Sequence, residues 1–418
     1  MFGAEGFAQF VFIDILSVFH HLKGGSIIVT DVVEILSKLV ACPSVNPMRS
    51  DVMAEPFGEA RLVALLSSML TDLGADVQVS EIAPGRPNVV ARFVGERDDR
   101  SLMFEAHSDT VQVADMDISP FEPVVRDGRL YGRGACDTKG PMAAMLAAIA
   151  RTRGEGKPPV TLYFASTCDE EVGATGAAGL MQSGFRPTMA VVAEPTDLNV
   201  CYAHKGVLHW SLDITGKPAH SSMPDLGVSA IYPMAHIVQA IETQLQAVLK
   251  QRVHPVLGPA TISVGLVQGG TQVNVVPSSC QAVIDRRMLP SEDVAQATAE
   301  LQAIVDTVMQ RYPGAEARLV PVDYYPPLDT PQESGVARMA HDAVTAVLNS
   351  ASFVTAPWCS NAGVFSAAGV PSVLFGPGSI RQAHTRDEYI EVEALHHAVD
   401  VYSDIIRRSG NVSYVNGD

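Results

Sequence analysis

Polar residues interrupt this sequence where apolar strands should end. "MFEAHSDT" puts His107 and Asp109 after an apolar run, and "GRGACDTKGPMAA" puts Asp137 just before a helical stretch. "STCDEEVGATG" sets Asp169, Glu170 and Glu171 side by side behind "VTLYFA". "VVAEPT" adds Glu194, and "GPGSIRQAHTRDEY" adds His384. In an open α/β sheet, ligands collect beyond the carboxyl ends of the strands. Each of these residues alone reads as a cap or a surface-loop residue. Together, imidazole and carboxylate without thiolate suit Zn²⁺, Co²⁺ or Mn²⁺ in a catalytic site. Adjacent carboxylates repel each other and are costly to desolvate, and two cations would compensate the acids at 169–171.

The elements that must position these residues follow from periodicity. "TDVVEILSKLVACPSV" opens on a Thr/Asp cap and has helical apolar spacing, and "EARLVALLSSMLTDLGA" is a second helix closing on Gly74. "NVVARFVG", "SLMFEAH", "VTLYFAST" and "MAVVAE" read as buried strands, with "GPMAAMLAAIARTR" as an Ala-rich buried helix. Such alternation predicts an α/β sheet covered on both faces. After Lys205 the rhythm changes. "VLHWSLDIT", a helix at "GVSAIYPMAHIVQAIETQL", strands at "ATISVGLVQGG" and "SCQAVIDRRML", a Ser-capped helix at "SEDVAQATAELQAIVDTVMQRY" and a strand at "EARLVPV" give β-α-β-β-α-β, the ferredoxin-like order. The expected organisation is an appended segment over 1–27, a catalytic domain over 28–205 and 323–418, and an inserted domain over 206–322. The α/β pattern resumes with "GVARMAHDAVTAVL", "PSVLFGPG" and a helix near "EVEALHHAVDVYSDII".

Bulk properties narrow the function classes. The 418 residues carry 29 basic and 46 acidic side chains, a formal charge of −17. That argues against broad nucleic-acid or anionic-membrane binding, which needs a basic face. The early apolar stretch "FAQFVFIDILSVFHHL" is interrupted by Asp14 and has no basic residue before it, which argues against a secretory signal or a membrane span. Six scattered cysteines without a CxxC motif point to reduced thiols and a cytoplasmic location.

Several stretches in order, "HSDTV", "GRGACDTKGPMAAML", "DEEVGATGA", "AEPTDL", "AHKG", "GKPAHSSMPDLGVSAI", "GGTQVNVVP", "IDRRMLP" and "GPGSIRQAHTRDEY", run over roughly residues 30–410. On these motifs the chain resembles the M20 co-catalytic metallohydrolases, which include acetylornithine deacetylases, succinyl-diaminopimelate desuccinylases and glutamate carboxypeptidases. The resemblance implies a zinc-peptidase-like α/β catalytic domain, with helices on both faces of a mixed sheet, and an inserted ferredoxin-like lid and dimerisation domain. It implies two divalent metal ions, Zn²⁺ first and Co²⁺ second. His107 and Glu194 would hold one, Glu171 and His384 the other, and Asp137 both. Asp109 would accept a hydrogen bond from the His107 ring and fix its tautomer. Glu170 would take a proton from the attacking water and pass it to the leaving nitrogen. The Asp137–Thr138 peptide is expected to be cis.

The resemblance further implies that His220, in "PAHSS", polarises the scissile carbonyl of a partner subunit's site in a homodimer built through the inserted domain. Without it, His220 reads as a loop histidine. Asn274 and Arg287 match substrate-contacting lid positions. Strand alternation turns only one of Arg286 and Arg287 inward, which keeps Arg286 as a rival. The backbone of Gly376, Gly378 and Ser379 could donate N–H groups to substrate, or serve only the turn. Asn361, in "CSNAG", stands where many deacetylases have an acid. The implied reaction is removal of an N-acyl group from a small N-acylated amino acid or dipeptide, first of the acetylornithine deacetylase type. The alternatives are a desuccinylase, another M20 aminoacylase or carboxypeptidase, and a metal-free binding homologue.

Overall fold

A computed structural model of the chain describes residues 31–48, 50 and 54–411. The segment expected over 1–27 lies outside the described residues. Two sheets organise the rest. The larger is nine-stranded and mixed. Its order is Asp76–Ala83, Arg86–Phe93, Val160–Thr167, Arg97–His107, Met189–Ala193, Ser372–Phe375, Val200–His204 and Leu328–Asp329, and Phe353–Ala356 also pairs with Val200–His204. The four central strands, from Val160–Thr167 to Ser372–Phe375, run parallel to one another. Their carboxyl ends therefore share one edge.

Strand alternation splits the interior into two cores. Leu102, Phe104 and Ala106 face a layer containing the helices Val32–Val40, Lys139–Arg153, Gly335–Leu348 and Val392–Arg408. Met103, Val192 and Leu374 face the other way, against the helices Thr175–Gln182 and Asn361–Ala367. Period-two side-chain placement makes this division obligatory for a sheet buried on both faces. Helix boundaries follow local chemistry. Asp31 caps Val32–Val40 by accepting from the N–H groups of Val33 (2.8 Å) and Glu34 (3.0 Å). Gly74, at φ +82°, turns the chain out of the helix Ala60–Asp72, a conformation that a side chain would oppose.

The smaller sheet has the order Thr261–Gly269, Ser279–Met288, Gly206–Thr215 and Glu316–Tyr325, all antiparallel. With the helices Ile231–Ala240 and Val294–Met309 it matches the expected β-α-β-β-α-β succession. Its final strand continues beyond residue 322. Leu208, Trp210, Leu212 and Ile214 are buried, and the Trp210 indole donates to Thr298 Oγ1 at 3.2 Å. The alternate residues of these strands lie on the opposite, open face. Two expected helices differ in detail. Val294–Met309 is capped by Asp293 rather than Ser291, because the Asp293 carboxylate accepts from Gln296 N at 2.9 Å. The earlier helix starts at Ile231 and passes through a π turn at Ile241–Leu245. All six cysteines are free thiols, and among the described residues no helix is long and apolar enough to cross a membrane.

Candidate metal centre

His107 ends a central strand, and Glu170 and Glu171 follow the strand beside it. Glu194 follows the neighbour on the other side, and the loop after Ser372–Phe375 carries His384. Asp137 arrives from the loop before the helix Lys139–Arg153, across a cis peptide to Thr138 as expected. Thr138 Oγ1 donates to the Ala193 carbonyl at 3.0 Å, tying that loop to the strand end that carries Glu194.

One carboxylate joins the two histidines. Asp137 Oδ1 lies 3.0 Å from His107 Nε2, and Asp137 Oδ2 lies 3.2 Å from His384 Nε2. Glu171 Oε2 is 3.1 Å from the same His384 nitrogen. His107, Asp137 and Glu171 each offer an atom, all within 4.8 Å of one another. Glu194 is buried and shares the electrostatic field of Asp137, Glu170 and His107. The His384 side chain is 51% exposed, so the cluster opens to solvent on that side.

Charge in this cluster is unbalanced. Burial, reinforced by neighbouring carboxylates, pushes Glu170 and Glu194 well above the ordinary range and raises Glu171. Asp137 is also buried, but the bonds from His107 and His384 hold it below its usual value. Hydrogen bonds to Asp137 and Glu171 lift His384 to about 10. Two imidazoles thus face four carboxylates, and Glu171 Oε1 is buried without a hydrogen-bond partner. An excess of buried oxygen donors with two imidazoles, and no thiolate, fits hard or borderline divalent cations.

The surroundings explain how these groups are held. His107 Nδ1 lies 2.9 Å from the main-chain oxygen of Asp109 and 3.7 Å from its carboxylate. The tautomer is therefore set by a backbone carbonyl, which can only accept, and Nε2 is left facing the acids. The Asp109 carboxylate works elsewhere than expected. It accepts the N–H groups of Glu170 and Glu171 at 3.0 Å each, and Asn46 Nδ2 at 2.7 Å. It thereby fixes the backbone that presents the two glutamates. Asp169 turns away, at φ +66°, and takes Arg86 Nη1 at 2.6 Å. The third acid of the triplet is thus neutralised by an arginine and faces away from the imidazoles.

Several supporting groups carried no sequence signal. Glu388 is buried and accepts four donors. Arg133 Nη1 (2.7 Å) and Gly134 N (3.0 Å) meet one oxygen; Cys136 N (2.8 Å) and Asp137 N (3.0 Å) meet the other. It shapes the loop that presents Asp137. Glu105, buried within its strand and raised to about 7 by that burial, accepts from Thr167 Oγ1 at 2.6 Å and Asn361 Nδ2 at 3.0 Å. Asn361 is therefore tied to the sheet interior.

The expected substrate contacts divide. Arg286 is buried and paired with Glu292 and Glu300, whereas Arg287 is on the open face with its Nε 3.0 Å from Asp285 Oδ1. Its row across the sheet is Arg287, Val207 and Tyr325, and the Tyr325 hydroxyl donates to the Glu170 carbonyl at 3.3 Å. Arg287 thus stands on the face turned toward the metal cluster. His220 and Asn274 come together in two adjoining exposed loops of the smaller sheet, joined by Ser221 N to Asn274 O at 3.0 Å. The His220 ring bonds Ser222 Oγ at 2.7 Å, and no hydrogen bond among the described residues links it to the cluster of its own chain. Gly376 is a correction. Its N–H donates to Thr196 Oγ1 at 3.0 Å, and a Cβ there would meet the Glu194 carbonyl at 2.5 Å. Close packing, not substrate, accounts for it. Gly378, at φ +87°, likewise packs on Cys136, and Ser379 Oγ donates to Asp197 at 3.1 Å.

Known proteins resemble this chain to different depths. The sequence pattern of peptidase family M20/M25/M40 matches residues 103–408. An acetylornithine deacetylase of Myxococcus xanthus is 33% identical over 369 residues, 86% of this chain and 92% of its own. One from Vibrio campbellii is 31% identical over 358 residues, 83% and 90% of the two chains. Among solved structures, aminopeptidase PepT from Bacillus cereus superposes with a TM-score of 0.74 at 23% identity, covering 91% of this chain and 98% of its own. A Bacillus subtilis M20 peptidase described as binding a dinuclear metal gives 0.65 at 16% identity, covering 90% and 97%. The chain belongs to peptidase family M20/M25/M40 and is a metal-dependent hydrolase of amide bonds.

Proposed function

We propose that this hydrolase removes the acyl group from an N-acylated amino acid, with N-acetylornithine the first candidate and two divalent ions, Zn²⁺ before Co²⁺, as cofactors. The observation that carries the reading is Asp137, whose two oxygens face one histidine each. The relatives named acetylornithine deacetylase support the substrate class. His107 and Glu194 would hold one ion, Glu171 and His384 the other, and Asp137 both. Bound cations acidify water and polarise a carbonyl. Glu170, fixed through its N–H on Asp109, takes the proton of the attacking water and returns it to the departing nitrogen. Arg287 offers its two Nη groups to the substrate carboxylate.

The smaller sheet serves as lid and dimer surface in this reading. Its edge strand Thr261–Gly269 is paired on one side only and leaves Leu266 and Val267 about half exposed. An apolar open edge invites a second strand, here from a second copy. His220 of that copy then enters the cleft and donates to the scissile carbonyl oxygen, while Asn274 and the Gly378–Ser379 backbone line it. The test is hydrolysis of N-acetyl, N-succinyl and N-formyl amino acids and dipeptides, with Zn²⁺ or Co²⁺ added, beside elemental analysis of the purified protein. Preference for N-acetylornithine supports the full reading. A dipeptide or N-succinyl preference moves the substrate, and a metal-free, inactive protein overturns the reading altogether.

A further inference from the structure

We propose that His209 is a positioning residue for substrate recognition, holding Arg287 through Asp285 so that its guanidinium meets the substrate carboxylate in one orientation. This rests on the reading of Arg287 given above. The face of the smaller sheet opposite Trp210 carries two adjacent rows, the first half-buried and the second with Val207 and Tyr325 buried. One is Asp323, His209 and Asp285; the next is Tyr325, Val207 and Arg287. Asp285 joins them. Its Oδ2 lies 2.9 Å from His209 Nε2, and its Oδ1 accepts Arg287 Nε at 3.0 Å. The other ring nitrogen, Nδ1, is 3.4 Å from Asp323 Oδ2.

Both ring nitrogens face carboxylates, so the ring carries both protons. The bonds to Asp285 and Asp323 raise His209 to about 9. Those two are the titratable groups that face it from the neighbouring strands. The remaining acid on this face of its own strand, Asp213, is engaged by Gln281 Nε2 at 2.8 Å. The chain His209, Asp285, Arg287 holds the guanidinium at Nε and leaves its outer nitrogens without a hydrogen bond among the described residues. Arginine has a long, mobile stem, and ordering it before substrate arrives removes a cost of binding. Without the imidazolium, Asp285 loses the bond that orients its carboxylate.

The experiment measures kcat and KM on the best N-acetyl amino acid and on its carboxamide, which lacks the anionic group. His209→Ala should raise KM for the acid about fivefold, the size of one ordered hydrogen bond, with kcat and the carboxamide unchanged. His209→Gln, which keeps a donor toward Asp285, should recover part of the loss. In the wild type, KM for the acid should rise as pH passes about 9, with no such step for the carboxamide or in His209→Ala. If His209→Ala fails to fold, this wild-type pH profile decides alone. Equal losses on acid and carboxamide would overturn the inference, as would normal KM in His209→Ala while Arg287→Ala raises it. If Arg287→Ala itself treats both substrates alike, the reading of Arg287 fails, and the role of His209 falls with it.

Discussion

Two clusters in this molecule combine histidine with acid, and they solve the charge problem in opposite ways. Around Asp137, two imidazoles face four carboxylates at the buried edge of a doubly covered sheet, and one Glu171 oxygen has no partner. Around Asp285, His209 and Arg287 face Asp285 and Asp323 on an open sheet face, and every charge has a counterpart. Residue types alone would mark both as metal sites. The difference lies in balance and burial. Excess buried negative charge demands cations, whereas a neutral set of ion pairs beside solvent is already satisfied.

The sharpest way to break this contrast is to remove acids from each cluster. Glu170→Ala should lower kcat by about a thousandfold, within the range for a lost general base, while bound metal stays at the wild-type content. Glu171→Ala should lose metal as well as turnover. Asp285→Asn should leave metal content untouched. Equal metal loss in Glu170→Ala and Glu171→Ala would remove the assignment of Glu170, and metal loss in Asp285→Asn would erase the contrast.

A smaller effect asks whether the open sheet serves the buried cluster of another copy. His220→Ala and Glu170→Ala should each be nearly inactive. Mixed so that subunits exchange, they should regain about half of wild-type activity per dimer, assuming independent sites. Verified exchange without recovery would confine His220 to its own chain.

The smallest effect concerns stability. His209 has a raised folded value, so its contribution is complete below its ordinary value and is lost as pH rises through about 9. Wild type should melt roughly one to two degrees above His209→Gln at pH 6, and the gap should close by pH 10. A gap that widens with pH would show the ring to be neutral in the fold.

Much of this was legible in the sequence because it obeys short-range rules. The buried runs at 101–107 and 160–167, the Asp31 cap and the Gly74 stop each follow from local periodicity or backbone chemistry. The edge strand Asp76–Ala83 was not legible, since it is largely exposed and has only weak alternation. Nor was Val200–His204, a short apolar run without period. At the site, residue types exposed the histidines, the glutamates and Asp109, but not Glu388 and not the contacts through which the supports act. Asp109 and Glu388 act by gathering main-chain N–H groups, and sequence carries no record of which backbone a carboxylate will find. Alternation could state that Arg286 and Arg287 diverge, but only the register with Tyr325 selects Arg287 as the one facing the cluster.

The bond from Asp137 N to Glu388 spans 251 positions of the chain, and His384 lies just before that glutamate. A ribosome builds the polypeptide from its other end. Until His384 and Glu388 have emerged, the loop around Asp137 lacks the carboxylate that shapes it, and the cluster lacks its second imidazole. The nascent enzyme therefore has no finished site in which to hold metal or cut an amide. Competence waits for Glu388, and products terminated before it are inert rather than partly active.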